Sequence, residues 1–261
     1  MSIQPSRISL AVSMIAIGIV SIVYGNDSFI WVLIPDMPGS ATLVYLCGLT
    51  ALASGIGLLL PRYLLLACRV LVAFLLLWLV VLKLTSLLAS PGQLVRWESC
   101  GETLAILAGA LCLLAKNAGE WEKQRVGFAV GENGIRLARY LLIAAVLTFG
   151  LAHFAYADMT ASLVPRWLPF PHFWAYLTGA ASIAAAAGML LGLYPRLAAV
   201  LEAAMLWAFT LLVWIPRVTS TPSDQGNWTE WILSAAIAAG AWLVAETYRG
   251  EPWKARRTFS R

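Results

Sequence analysis

Two histidines are the side chains of this sequence best suited to acid–base or ligand chemistry. His153 lies inside an apolar run, with Gly150 and Tyr156 three residues to either side and therefore on the same helix face. A neutral imidazole in that position could hydrogen-bond a ligand, relay a proton or coordinate a metal. The alternative is a structural hydrogen bond to a backbone carbonyl or to Asp158.

His172 follows in a proline-rich stretch, and the two imidazoles would converge if that stretch folds over the helices. No third ligand accompanies them, so the sequence predicts no metal site. The four cysteines, Cys47, Cys68, Cys100 and Cys112, show no metal-binding spacing either.

Carboxylates form a second candidate group. Glu98 and Glu102 are four residues apart and share a helix face, where they repel each other unless one is protonated or Arg96 compensates. Glu230 lies one position from the equivalent of Glu98 in the internal repeat described below. We therefore consider a shared functional acid. The alternative is a carboxylate stabilised by the dipole at a helix N-terminus.

Two further charges fall inside apolar runs at nearly equivalent depths, Arg69 and Glu202. Ionisable side chains within a membrane are costly, and they mark either a function or a buried pair. The sequence predicts an ion pair between them that bridges the two halves of the chain. The alternative is that Arg69 extends its guanidinium to the aqueous interface.

The elements that carry these residues are membrane-spanning helices. The chain is 61% hydrophobic and only 12% charged, whereas soluble domains carry about 25% charged residues. The net charge is +5, and the charged residues lie in short clusters between apolar runs. This placement argues against a nucleic-acid partner and for a lipid bilayer. None of the spans reads as a broken helix. Eight spans are predicted: Ile8–Tyr24, Thr42–Leu60, Leu64–Leu88, Glu98–Leu114, Leu137–Ala157, Phe173–Leu193, Leu197–Ile215 and Trp228–Ala245.

An internal repeat divides these spans into two sets of four. Tyr45 matches Tyr176 and Trp97 matches Trp228 at a separation of 131, and Gly18 matches Gly150 at 132. The predicted fold is therefore an all-α polytopic membrane protein built as two parallel-repeat four-helix bundles. Its units are residues 1–116, a hydrophilic cytoplasmic linker 117–134, a second repeat 135–247 and a basic cytoplasmic tail 248–261.

Charge placement predicts the orientation. With the N-terminus in the cytoplasm, 14 of the 18 basic residues are cytoplasmic, which follows the positive-inside rule. We expect an inner-membrane, multi-pass protein with both termini in the cytoplasm. The outer segments 26–40 and 157–173 combine aromatic residues with prolines, which predicts either a cap over the helices or the lid of a ligand cavity.

The second half resembles the DoxX-like family of bacterial membrane proteins. The resemblance covers most of Leu141–Ala245, and the first half follows it more weakly, with Ser21 in place of His153. The resemblance rests on four segments: Gly150-Leu-Ala-His-Phe154, Pro-Trp-Leu-Pro in 165–169, Phe173-Trp-Ala-Tyr-Leu-Thr-Gly179 and Pro195-Arg-Leu197. The resemblance implies a bacterial inner-membrane location and an association with redox systems, including quinone reduction.

Three functions follow as expectations. The first is a redox-associated subunit that binds a quinone or another lipophilic molecule between helices near the outer leaflet, lined by His153, Tyr156 and Tyr176. The others are a non-catalytic scaffold or assembly partner and a small-solute permease. No nucleotide, haem-attachment, flavin or nucleophile motif appears, so electron transfer would need a redox partner or another membrane subunit.

The predicted orientation can be tested with reporter fusions. A green fluorescent protein fused after Arg261 is expected to fluoresce, and alkaline phosphatase at the same position is expected to be inactive. The control is a truncation after Ser90, on the predicted outer side, where the phosphatase should be active. An active phosphatase after Arg261 would contradict the orientation.

Overall fold

The computed structural model describes residues 4–25 and 40–253. Within these residues, eight helices are long and apolar enough to cross a membrane, which confirms the predicted all-α polytopic fold. They are α1 Pro5–Tyr24, α2 Ser40–Leu59, α3 Leu64–Ala89, α4 Leu94–Asn117, α6 Gly131–Ala155, α8 Pro171–Leu191, α9 Pro195–Ser220 and α10 Gln225–Ala245. Two short helices are α5 Glu120–Arg125 and α7 Ala157–Leu163. Most of the predicted outer segment 26–40, and tail residues 254–261, lie outside the described residues.

The centre of the molecule is the pair α4 and α10, the two most buried spans. Gly109 of α4 meets Gly240 of α10, and these glycines are 131 residues apart, the repeat separation. A Cβ atom on Gly240 would lie 2.3 Å from the carbonyl oxygen of Ala105. Only glycine permits this approach, and the meeting of equivalent positions places an approximate two-fold axis between the helices.

The other spans surround this pair in chain order. In the first half, α1 packs against α2 and α10, and α3 packs against α2 and α4. In the second half, α6 packs against α8 and α4, and α9 packs against α8 and α10. The first helix of each half therefore packs against the last helix of the other half. As a result, α4 and α10 each contact helices of both halves.

Matching loops show the repeat in atomic detail. The indole N–H of Trp97 donates to the carbonyl of Pro91 at 2.9 Å, and the indole N–H of Trp228 donates to the carbonyl of Pro222 at the same distance. Each bond closes the turn that leads into a central helix. Tryptophan suits this place because its ring is apolar and its N–H needs one acceptor.

Both α3 and α9 contain a π-helical segment, at Leu79–Leu84 and Thr210–Trp214, which the sequence interpretation missed. In α9, Pro216 follows the segment and lacks the N–H that a regular helix requires. In α3 no proline is present, and the segment contains Lys83. Wide turns of this kind are frequent at functional sites.

The two ends of the helix assembly differ in charge. Among the described residues, the end at which α1 begins carries ten Lys and Arg residues, and we call it the basic end: Arg7, Arg62, Arg69, Lys116, Lys123, Arg125, Arg136, Arg139, Arg196 and Arg249. The opposite half of the assembly carries four, namely Lys83, Arg96, Arg166 and Arg217.

The central contact can be tested by Gly240→Val. The added side chain meets the α4 backbone, where neither partner can yield, and overpacking costs about 1–3 kcal/mol or more. We expect a lower Tm in detergent. Gly92→Ala is the control, because a Cβ at Gly92 has no neighbour within 4 Å. An unchanged Tm for Gly240→Val would show that the α4–α10 contact is not close.

Candidate functional site

The site is built around His153, which lies in the last turn of α6. A glycine in α8 makes room for it, since a Cβ on Gly179 would lie 2.7 Å from the Cβ of His153. On another side, the imidazole packs edge-on against Phe209 of α9, with ring centroids 6.0 Å apart. Three helices therefore hold this side chain in place.

The Nδ1 atom of His153 is buried and has no hydrogen-bond partner among the described residues. Burying a polar atom without a partner destabilises the folded state by about 1–3 kcal/mol. The structural bond to Asp158, one of the alternatives for His153, is not formed, and Asp158 pairs with His172 instead. A ligand or a water molecule would satisfy this atom, so His153 is a candidate binding residue by its position as well as by its type.

An apolar cavity of about 290 Å³ lies on one side of His153, between α6, α8 and α9. Helix α7 and the segment after it, including Pro165 and Leu168, form one wall. The second outer segment therefore lies against the cavity, as a lid would. The aromatic and polar members of the lining are His153, Thr160, Trp174, Thr178, Phe209 and Trp214.

An acidic cavity of about 150 Å³ lies between α4, α6, α9 and α10. It is lined by Glu98 and Glu102 of α4, Glu230 and Ser234 of α10, and again by His153. The structure therefore brings together the three carboxylates that the sequence singled out. His153, Phe209 and Trp214 line both cavities, so the imidazole stands between an apolar space and a group of acids.

Lys83 belongs to this acidic group, although the charge count that predicted the orientation placed it among the four basic residues on the outer side. It is 1% exposed, donates to the hydroxyl of Ser99 and interacts electrostatically with Glu102. Its place inside the apolar run Leu79–Leu88 was the signal that could have revealed it. With all four groups ionised, the three carboxylates and Lys83 carry a formal charge of −2.

Two hydroxyl groups were also missed. Thr210, the first residue of the π-helical segment of α9, is 2.8 Å from the hydroxyl of Ser234. Hydroxyl residues occur throughout membrane helices, so their type alone gives no signal. Of the two, Ser234 lines the acidic cavity, and Thr210 contacts Ser234 from the wide turn.

The predicted tyrosines line neither cavity. The hydroxyl of Tyr156 accepts a bond from the backbone N–H of Val95 at 3.1 Å, which ties the end of α6 to the start of α4. Tyr176 packs against Phe154 with ring centroids 5.6 Å apart, and 45% of it is exposed. The structure therefore does not bring either tyrosine together with His153 in a cavity, and their role in ligand binding stays a prediction.

The histidines do not converge. The imidazole of His172 lies 2.9 Å from the carboxylate of Asp158, and both side chains are exposed. His172 lines neither cavity that contains His153. Within residues 4–25 and 40–253, no group of three or more His, Cys, Asp and Glu side chains is placed to hold a metal ion.

The predicted pair of Arg69 and Glu202 is also wrong. Arg69 binds Glu122 of the linker and stacks on Trp121, whereas Glu202 is buried and accepts a bond from Ser182 at 3.1 Å. The reason is topological. Helices α4 and α10 meet at the axis and separate α3 from α9, the helices that carry Arg69 and Glu202.

Glu122 is the acceptor that clamps the linker to α3. Burial raises the pKa of this carboxyl, but bonds from its own backbone N–H, from the N–H of Gly119 and from Arg69 outweigh burial and hold the pKa below its usual value. The Gly119 bond is 2.9 Å long.

The family described as a domain of unknown function (DUF8561) matches residues 142–247, which span the second half from α6 to the end of α10. No curated protein and no solved structure matches the chain.

The clamp predicts a pH-dependent contribution to stability. Because the folded-state pKa of Glu122 is lowered, this contribution is present above the unfolded pKa of about 4.3 and is lost as pH falls through the folded-state value. Glu122→Gln should therefore lower Tm at pH 6.5 and have no effect below the folded-state pKa. Glu120→Gln, which breaks only an exposed pair with Lys123, is the control. A Tm difference that is constant with pH would contradict this account.

Proposed function

We propose that the protein binds a lipophilic small molecule with a hydrogen-bonding head group, of the quinone type, in the apolar cavity beside His153. The observation that carries the proposal is that His153 lines this cavity and that its buried Nδ1 atom has no hydrogen-bond partner among the described residues. The apolar lining and the rings of Trp174, Phe209 and Trp214 suit a flat ring. His153 supplies the polar contact that orients it.

The size of the cavity supports a ligand that enters from the membrane. Pockets for drug-sized ligands occupy about 300–1,000 Å³, so a cavity of about 290 Å³ holds a head group and little more. The cavity is partly open, and an isoprenoid tail would extend from it into lipid. Helix α7 and the segment at Pro165 cover the head group from the aqueous side.

The acidic cavity supplies a proton route to the proposed ligand site. His153 borders the carboxylates on one side and the ligand space on the other, so it is placed to exchange protons between them. Electrons would come from a redox partner or another membrane subunit, as the resemblance to the DoxX-like family implies. The proposed setting is a bacterial inner membrane, with the basic end in the cytoplasm.

One observation favours a second candidate, a carrier for a small cationic solute. The acidic cluster with formal charge −2 lies within the spans, about 6 Å (Glu98) and about 12 Å (Glu102) from the start of α4. Charges at such depth line solute or proton pathways in many membrane proteins. Accumulation of a cation by reconstituted vesicles would favour this candidate. A scaffold would need neither cavity.

The test of the proposed function is His153→Phe. This change keeps an aromatic ring against Phe209 and removes the hydrogen bond, so we expect affinity for a short-chain benzoquinone analogue to fall about tenfold or more. Quenching of tryptophan fluorescence reports binding, because Trp174 and Trp214 line the cavity.

The same substitution at His172, which lies outside the cavity, is the matched control and should leave the affinity unchanged. Equal affinities for the wild type and His153→Phe would refute the proposal. So would the absence of any quinone in lipid extracts of the purified protein together with no binding of the added analogue.

A further inference from the structure

A separate cavity of about 350 Å³ opens at the basic end, away from His153. It lies between α6 and α8, with Pro195 at the start of α9 and residues Tyr248 and Glu251 completing the wall. Its polar lining comprises Arg136, Arg139, Tyr140 and Glu251, and its apolar lining includes Ile143, Met189 and Leu190. A charged rim above an apolar wall is the arrangement that an amphiphilic molecule requires.

The charges at the rim are not equivalent. Arg139 already has partners within the protein. It donates to the hydroxyl and the carbonyl of Thr247 and forms an ion pair with Glu251 at 2.9 Å. Its guanidinium also stacks on Tyr248, 3.7 Å from the ring centre. This pair neutralises the one carboxylate of the cavity. Arg196 donates to the backbone carbonyl of Glu251 at 3.1 Å, so it lies beside the same rim.

Arg136 is the cation that remains. It lies one turn before Arg139 on α6, is exposed, and has no ion-pair or hydrogen-bond partner among residues 4–25 and 40–253. The three arginines and Glu251 together have a formal charge of +2 (three minus one). Below the rim, Leu190 is 53% exposed on the lipid-facing surface, so the apolar wall continues into the bilayer.

We infer that this cavity binds an anionic phospholipid from the leaflet at the basic end. Its phosphate lies at Arg136, within the field of Arg139 and Arg196, and an acyl chain follows Ile143 and Leu190. Basic pockets between membrane helices bind anionic head groups through this combination of charge and apolar surface. The internal repeat offers a contrast, since the position equivalent to Arg136 in the first half is Gln4, 132 residues earlier.

The experiment is a lipid titration of the detergent-purified full chain, followed by native mass spectrometry. We expect dioleoylphosphatidylglycerol to bind more tightly than dioleoylphosphatidylcholine. Arg136→Gln, which installs the residue of the first half, should weaken phosphatidylglycerol binding about fivefold, the effect of one basic residue at a membrane surface. Arg136 has no described partner to lose, so folding should be unaffected.

Arg125→Gln is the matched control, because it removes an exposed charge at the same end but outside the cavity. Equal losses for Arg125→Gln and Arg136→Gln would overturn the inference in favour of a general surface charge. Equal binding of the two lipids would overturn it as well. Displacement of the lipid by glycerol phosphate at the same concentration would show a site for a free phosphate instead.

Discussion

The contact between Gly109 and Gly240 is the constraint on which the arrangement of this molecule depends. Lipid provides no hydrophobic drive for helices to associate, so membrane helices gain their contact energy by close packing. Two glycines let α4 and α10 approach until backbone meets backbone. Because each half has four spans, the two helices run in the same direction, and the contact between equivalent positions places their ends in register. The acids near the start of each helix therefore face one cavity.

The repeat permits one half to keep chemistry that the other lacks. Ser21 and His153 occupy equivalent positions, and each packs against the matching glycine of the next span, Gly48 and Gly179. Ser21 is fully buried and fills its place as a small side chain. His153 at the same place reaches between two cavities. The shared framework maintains the packing, and a single substitution separates a structural position from a candidate binding position.

Ionisable side chains in this protein are grouped, which lowers the cost of placing them among apolar helices. Lys83 lies beside Ser99 and Glu102, and Arg69 forms an ion pair with Glu122 of the linker. An isolated charge at such depth is unfavourable, whereas a charge with a partner or a polar cavity is tolerated. The two π-helical segments contribute here, because they widen the helix where Lys83 and Thr210 must turn inward.

The sequence by itself determined the eight spans, because an apolar run of sufficient length has one stable place in a bilayer, and it determined the repeat, because equivalent residues recur at a constant separation. It also selected His153 and the three glutamates, because polar groups in apolar runs are conspicuous. Only the tertiary structure decided their partners. Arg69 and Glu202 share a depth, yet α4 and α10 separate the helices that carry them. Tyr156 and Tyr176 are near His153 in the sequence, yet they line neither of its cavities. Depth and helix face can be read along one chain, but contact depends on which helices are neighbours, and that is set by the glycine contact at the axis.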